Sequence, residues 1–232
     1  MYDPFSDEQD ALTFGPLAPI KPRSYSAIKL YEKCPLAYKL AYMEKLPDPS
    51  GEAAQRGKLI HSQIEDYINN VITELPHEQR VMQVVLDSWK ARKAKSEVQF
   101  AVDRVFKPVK YDDPKAMFRG VIDLLIIEGK IAHVIDFKTG KKRDYSDQLT
   151  VYAAAVFAMY PKIQTIERSI YFVDLDLPEH YTPVERSDTH SSVSLITERI
   201  AKLEKDSIFS PNPSSLCRFC NFKKDAGGPC KW

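Results

Sequence analysis

A chain of 232 residues, 44% hydrophobic and 28% charged, has the composition of an ordinary globular protein with room for one substantial core and a small appendage. Its 33 basic and 32 acidic residues leave a net charge of +1, which excludes a global positive field as the basis of any nucleic-acid binding and leaves only local basic clusters. No run reaches the roughly 18–20 apolar residues that cross a bilayer, so no membrane partner is expected; the acidic, proline-containing start does not read as a signal peptide, and the expected compartment is the cytoplasm.

Residues 1–22 hold prolines at 4, 16, 19 and 22 and no periodicity, which predicts an irregular arm. From Ser24, apolar groups at Ile28, Tyr31, Ala37, Tyr38, Ala41 and Tyr42 approach helical spacing. Ser24 or Ser26 can cap that start, and Pro35 predicts a break into two short helices. PDPSG at 47–51 reads as a turn. A helix is expected over 53–73, with Leu59, Ile60, Ile64, Tyr67, Ile68 and Val71 on one face, and a second over about 78–94. Strands are expected over 97–106, 116–127 and 131–138, the last two joined by a tight hairpin at Glu128-Gly129-Lys130. TGKKRDYSD is a basic loop. An alanine-rich helix over 145–160 ends at Pro161, a strand follows over 168–176 and a last helix over about 192–206. The order predicts an α/β fold, a mixed sheet flanked by helices.

Asp123, in GVIDLLI, and Asp136, in VIDFKTG, interrupt otherwise apolar strands. A carboxylate so placed costs several kcal/mol unless a partner or metal compensates, roughly the penalty of burying a charge. Two strands joined by a hairpin can bring them to one face. Asp136 and Lys138 are two apart and share a side, with the Phe137 ring opposite. Two carboxylates suit a hard divalent cation such as Mg²⁺ or Mn²⁺, and the ammonium suits the developing charge of a phosphodiester under attack. Gln148 and Tyr152 are spaced i, i+4 on the next helix and share a face; so do His61 and Glu65 upstream. His61 breaks an apolar pattern and becomes a candidate metal ligand. Glu97 is a weaker candidate for a further acidic position.

Gly-x-x-x-His in GKLIH, Gly-x-x-Asp in GVID, Asp-x-Lys in DFK and Gln-x-x-x-Tyr in QLTVY occur in that order. Together they resemble the RecB-type branch of the PD-(D/E)xK nuclease superfamily, over nearly the whole chain from Ser24. The resemblance implies a restriction-endonuclease-like core and a Mg²⁺- or Mn²⁺-dependent DNA nuclease, an exonuclease on DNA ends serving recombination, repair or replication. It carries catalytic roles to Asp123, Asp136, Lys138, Gln148 and Tyr152, and metal-binding roles to His61, Asp123, Asp136 and Phe137. It also implies the organisation: an arm over 1–22, a nuclease domain over 23–206, and a cysteine-rich tail over 207–232 that packs with Cys34.

Cys217 and Cys220 form C-x-x-C, a good chelate spacing; Cys230 follows after nine residues and Cys34 stands far upstream. In a reducing compartment these thiols are metal ligands or buried groups, and four thiolates suit either Zn²⁺ or an iron–sulfur cluster. The AddB-type and CRISPR-associated exonucleases are similar in having one cysteine before the core and three after it. That likeness implies a [4Fe–4S] cluster on Cys34, Cys217, Cys220 and Cys230, although the gap before Cys230 is longer than in those families.

Lys141, Lys142 and Arg143 leave the strand that carries Lys138 and are the candidate DNA-binding cluster. Tyr25, Tyr31, Tyr38 and Tyr42 read as helix core rather than as base-stacking groups. GEAAQRGKL at 51–59 fails as a phosphate loop, since five residues separate the glycines and Leu59 replaces the Ser/Thr. The chain is therefore expected to act alone or with a separate helicase or recombination protein. The alternative function is a non-catalytic DNA-binding or scaffolding subunit, against which the intact Asp123, Asp136 and Lys138 speak.

Overall fold

A computed structural model describes residues 23–47 and 51–232. The expected arm over 1–22 and the middle of the expected turn at 47–51 lie outside the described residues. Helix α1 (Tyr25–Lys33) starts at Ser24, whose hydroxyl accepts the Ala27 N–H at 3.2 Å. The chain breaks at Cys34, and Pro35 opens the short α2 (Pro35–Tyr38), where a missing N–H costs nothing. Helix α3 (Glu52–Ile68) follows, then α4 (Gln83–Ala91), then strands β1 (Lys95–Val102), β2 (Phe118–Glu128) and β3 (Ile131–Lys138). Helix α5 (Ser146–Met159), strands β4 (Thr165–Phe172) and β5 (Leu177–Glu185) and helix α6 (Thr189–Lys205) complete the fold.

The sheet runs β1-β2-β3-β4-β5, with β3 and β4 parallel and every other pair antiparallel. This is the expected mixed sheet. The hairpin between β2 and β3 turns at Gly129, where φ is +61°, a conformation open to glycine at little cost. The β3–α5–β4 connection is the crossover that a parallel pair requires. Ala153, Ala154 and Ala155 of α5 are fully buried, so this helix lies close on one face of the sheet, beneath α6. Val134, Ile166, Ile170, Phe172, Ile196 and Ile200 share that core. On the other face, Ile60, Ile64, Leu86 and Trp89 of α3 and α4 pack with Leu124, Ile126, Ile135 and Phe137.

Several expected boundaries move. Helix α3 stops at Ile68, and Val71 is 70% exposed beyond it; Leu59 is 57% exposed on its outer face. The Asn69–Asn70 pair ends the helix, with Asn70 at φ +60°. The expected helix over 78–94 is a 3-10 turn (His77–Met82) running into α4. Strand β1 ends at Val102 rather than Phe106, because the Asp103 side chain turns the chain by accepting the N–H groups of Val105 and Lys107. The strand expected over 168–176 is β4, displaced to Thr165–Phe172. Strand β5 was not expected: it is an edge strand, mostly exposed, with Pro178 and Pro183 in a polar sequence that shows no alternation. Tyr31 and Tyr38 are core, as expected, while Tyr42 stacks on Tyr38 and stays half exposed.

Candidate active site

The β2–β3 register pairs Leu124 with Ile135, which sets Asp123 and Asp136 opposite each other one step further along. There the backbone ladder gives way. The Asp123 carboxylate accepts the Phe137 N–H at 2.8 Å, so a side chain takes the place of a ladder bond and the two strands part around the acids. Asp136 is 1% exposed. One of its oxygens accepts Gln148 Nε2 at 2.8 Å, and that nitrogen also lies 3.1 Å from the Tyr152 hydroxyl. The Lys138 ammonium is ion-paired with the other oxygen, Oδ2, at 2.5 Å, and that buried atom has no other partner among the described residues. The ammonium also stands 5.1 Å from the centre of the Tyr145 ring.

Helix α3 brings His61 across the parted strands. Its Nδ1 lies 3.4 Å from Asp123 Oδ2, and its Nε2 lies 3.0 Å from the Phe137 carbonyl oxygen. The Phe137 ring is buried among Trp89 and Tyr171 and meets the His61 ring edge-on at 6.1 Å, so it props His61 from behind while its main chain faces the acids. Gly57 allows this approach: a Cβ there would sit 3.3 Å from Thr139 Oγ1. In the same way Gly120 makes room in the GVID segment, where a Cβ would meet the Phe100 ring at 2.6 Å and lie 3.5 Å from the Tyr152 ring.

One further acid joins them. Glu97 lies between the pairs Ser96–Leu124 and Val98–Ile122 of the β1–β2 ladder, yet has φ +48°. A left-handed glutamate inside a strand costs about 1–3 kcal/mol, and such strain gathers at functional positions. The turn aims its carboxylate at the site: His61, Glu97 and Asp123 offer ligand atoms within 4.8 Å of one another. An open cavity of about 440 Å³ lies against them, bounded also by Ala53, Gly57, Lys58, Glu65 and Thr139.

The electrostatics agree. Burial pushes the Asp136 carboxyl up to about 7, and the Asp123 charge pushes the same way, outweighing Lys138. Burial and the charges of Asp123 and Glu65 raise Glu97. Burial opposes the His61 cation, but Asp123 outweighs it and the pKa is raised. Burial likewise opposes the Lys138 ammonium, and Asp136 and Asp123 hold it protonated. Every one of these groups is drawn towards its protonated form, which is the signature of a site short of positive charge. The buried Asp136 carboxylate beside Asp123 and the oxygen- and imidazole-rich donor set of His61, Glu97 and Asp123 fit a hard divalent cation.

Lys141, Lys142 and Arg143 are exposed on the loop after β3. Lys142 is ion-paired with Glu179 of β5, so it is not simply free for phosphate. The loop is tied down elsewhere too: Gly140 N–H donates to Asp174 at 2.6 Å, and Asp174 is gripped by Arg56 of α3. The four cysteines border one cavity of about 130 Å³ between α1, α2 and the tail.

The profile of the PD-(D/E)XK nuclease superfamily matches residues 22–224. The chain belongs to this superfamily. It is thus a nuclease by family, built on a fold whose enzymes use divalent metals. Two solved structures resemble it more loosely. SSO0001 does so with a TM-score of 0.44 and 17% identity, over 95% of this chain and 91% of that one. A chain described as a candidate exonuclease from Eubacterium rectale does so with a TM-score of 0.49 and 13% identity, over 86% of this chain and 87% of that one. A search of curated proteins gives no match. The motifs at His61, Asp123, Asp136, Lys138, Gln148 and Tyr152 converge in space. Glu97 is the residue that sequence patterns undervalue, because its strained backbone is invisible in the pattern.

Proposed function

We propose that the chain is a Mg²⁺- or Mn²⁺-dependent deoxyribonuclease that works as an exonuclease on DNA ends, in recombination, repair or replication. The observation that carries the reading is the meeting of His61, Glu97 and Asp123 at the edge of one open cavity, with the buried Asp136 and its ion-paired Lys138 directly behind Asp123 on the neighbouring strand. Asp123, Asp136, His61, the Phe137 carbonyl and, as a further ligand, Glu97 would hold the metal. A bound divalent ion there would draw electron density from the scissile phosphate and make water a stronger nucleophile. Lys138, fixed between Asp136 and Tyr145, stabilises the negative charge that grows during attack. Gln148 holds Asp136 in place and is itself held by Tyr152. Lys141 and Arg143 take phosphates of the strand at the cavity mouth. A separate helicase would deliver ends.

The cysteine cavity supports a [4Fe–4S] cluster on Cys34, Cys217, Cys220 and Cys230, as part of the same reading. Backbone N–H groups of Asn212 and Ser214 point at the sulfurs of Cys34 and Cys217, at 3.5 Å and 3.3 Å. All four cysteines border this one cavity, and four thiolates are the donor set that such a cluster takes.

The test is digestion of linear DNA with Mg²⁺ or Mn²⁺ by the wild type and by Lys138→Ala. The reading expects digestion by the wild type and a rate lower by about 10²–10³-fold in the variant, the cost of removing one charge-stabilising donor. Equal rates would mean that another nuclease does the work, and no digestion by either would end the catalytic reading.

A further inference from the structure

The cysteine-bearing tail carries chemistry that the active site does not use. Residues 207–232 hold four cations, Arg218, Lys223, Lys224 and Lys231, against one acid, Asp225. The whole chain is only +1, so the rest of it is net acidic and the tail is a basic segment by contrast. On this segment two aromatic rings face solvent: Phe219 is 69% exposed and Trp232 51%. Each has its sequence neighbour's cation over it. The Arg218 guanidinium is 4.7 Å from the Phe219 ring centre and the Lys231 ammonium 5.0 Å from that of Trp232. Both rings border one cavity, whose rim also includes the exposed Lys33 and Leu216. Trp89, by comparison, is buried in the core.

A flat ring beside a fixed cation matches the repeating chemistry of a single nucleic-acid strand, in which every base offers a π face and every linkage a negative charge. A duplex keeps its base faces stacked on each other and offers the rings nothing. The position is suitable. Helix α1 begins beside the site, where Arg199 links Tyr25 to Asp147 of α5, and ends at Cys34 beside the tail. Its nine residues span roughly 14 Å at about 1.5 Å per residue, so the rings lie within the reach of a few nucleotides from that end of α1.

We propose that the tail is a stacking platform for single-stranded nucleic acid, with Phe219 and Trp232 under successive bases and Arg218 and Lys231 on the flanking phosphates. This rests on the nucleic-acid reading of the active site, to which it adds an anchoring point away from the reacting bond.

The test uses the full chain with its metal content retained, in a Lys138→Ala background, titrating a labelled oligo-dT without added divalent metal. Phe219→Ala and Trp232→Ala should each weaken binding by about tenfold, while Phe219→Tyr and Trp232→Phe should keep most of it. Emission of Trp232 should be quenched on binding, and that quenching should vanish in Trp232→Phe, which leaves only the buried Trp89. With Lys138 intact, the double alanine variant should show a raised KM and unchanged kcat on long single strands, and no change on a trinucleotide. The same thermal unfolding temperature in the variants establishes that the tail still folds. Equal oligo-dT affinity in wild type and double variant overturns the platform, as does binding only to blunt duplex or only to an acidic protein. These outcomes separate the two claims: hydrolysis that ignores the rings removes the platform and leaves the nuclease, whereas ring-dependent binding without hydrolysis by any variant does the reverse.

Discussion

Asp136 shows how one residue sets the behaviour of the site. Its raised pKa means that, without metal, the protonated carboxyl is the form the fold prefers. The stability it contributes is complete below the ordinary carboxylate range and is lost as pH rises through about 7. Raised values at Glu97 and His61 act in the same direction. The metal-free protein should therefore melt at a lower temperature at about pH 8 than at about pH 5. Asp136→Asn should flatten that dependence and abolish activity together. Calorimetry with the divalent metal removed checks the first part, and a dependence unchanged in Asp136→Asn would assign it to other groups. Glu97 makes a companion prediction. Glu97→Gln should weaken Mn²⁺ binding by about 10–100-fold, as loss of a supporting group around a metal does; isothermal titration reads it, and unchanged affinity would leave the strained backbone there without an explanation.

The same residues show what a sequence can disclose. Asp123, Asp136 and Lys138 were legible because a charge inside an apolar strand has to be compensated, and the two-residue period put Asp136 and Lys138 on one side. His61, Gln148 and Tyr152 were legible from helical spacing together with the ordered motifs. Glu97 was nearly lost, because alternation assumes regular strand geometry and its φ of +48° abandons it.

At the scale of elements, the glycines of the motifs are spacers. Gly120→Ala should force the Phe100 ring aside and destabilise the chain by about 1–3 kcal/mol, with a loss of activity that Phe100→Leu partly restores. Chemical denaturation and a digestion assay read the two effects. In the tail, a Cβ on Gly228 would sit 2.2 Å from the Phe222 carbonyl oxygen, which accepts the Cys230 N–H. Gly228→Ala should therefore displace Cys230 and, on the proposed cluster reading, lower the iron bound per chain, measured by metal analysis; full iron loading would separate Cys230 from the proposed cluster. Strand β5 escaped the sequence because an exposed edge strand has no apolar face to declare itself. Yet it steadies the loop after β3, through the Lys142–Glu179 pair and the Tyr181 hydroxyl 3.3 Å from the Tyr145 N–H. The sequence also hid the strap from Arg56 through Asp174 to Gly140, since it joins residues more than a hundred positions apart.

Across the whole molecule, the mixed sheet was readable from the order of periodic segments, and the nuclease family follows from it and the profile match. The two proposed metal centres lie towards opposite ends of α1: Tyr25 at its start joins Asp147, next to Gln148 of the acidic site, through Arg199, and the four cysteines border the cavity at its finish. A net charge of +1 conceals this arrangement, because basic clusters on the loop after β3 and on the tail stand apart from a site that is itself acidic. The central claim is that this site hydrolyses DNA. The measurement that tests it most directly is the fate of end-labelled linear and closed circular DNA with Mg²⁺ or Mn²⁺. Loss of the linear substrate from one end, with the circle spared and Lys138→Ala inactive though folded, is the result this account predicts. Intact DNA of both kinds with either metal, from protein whose cysteine cavity is fully loaded, would contradict it.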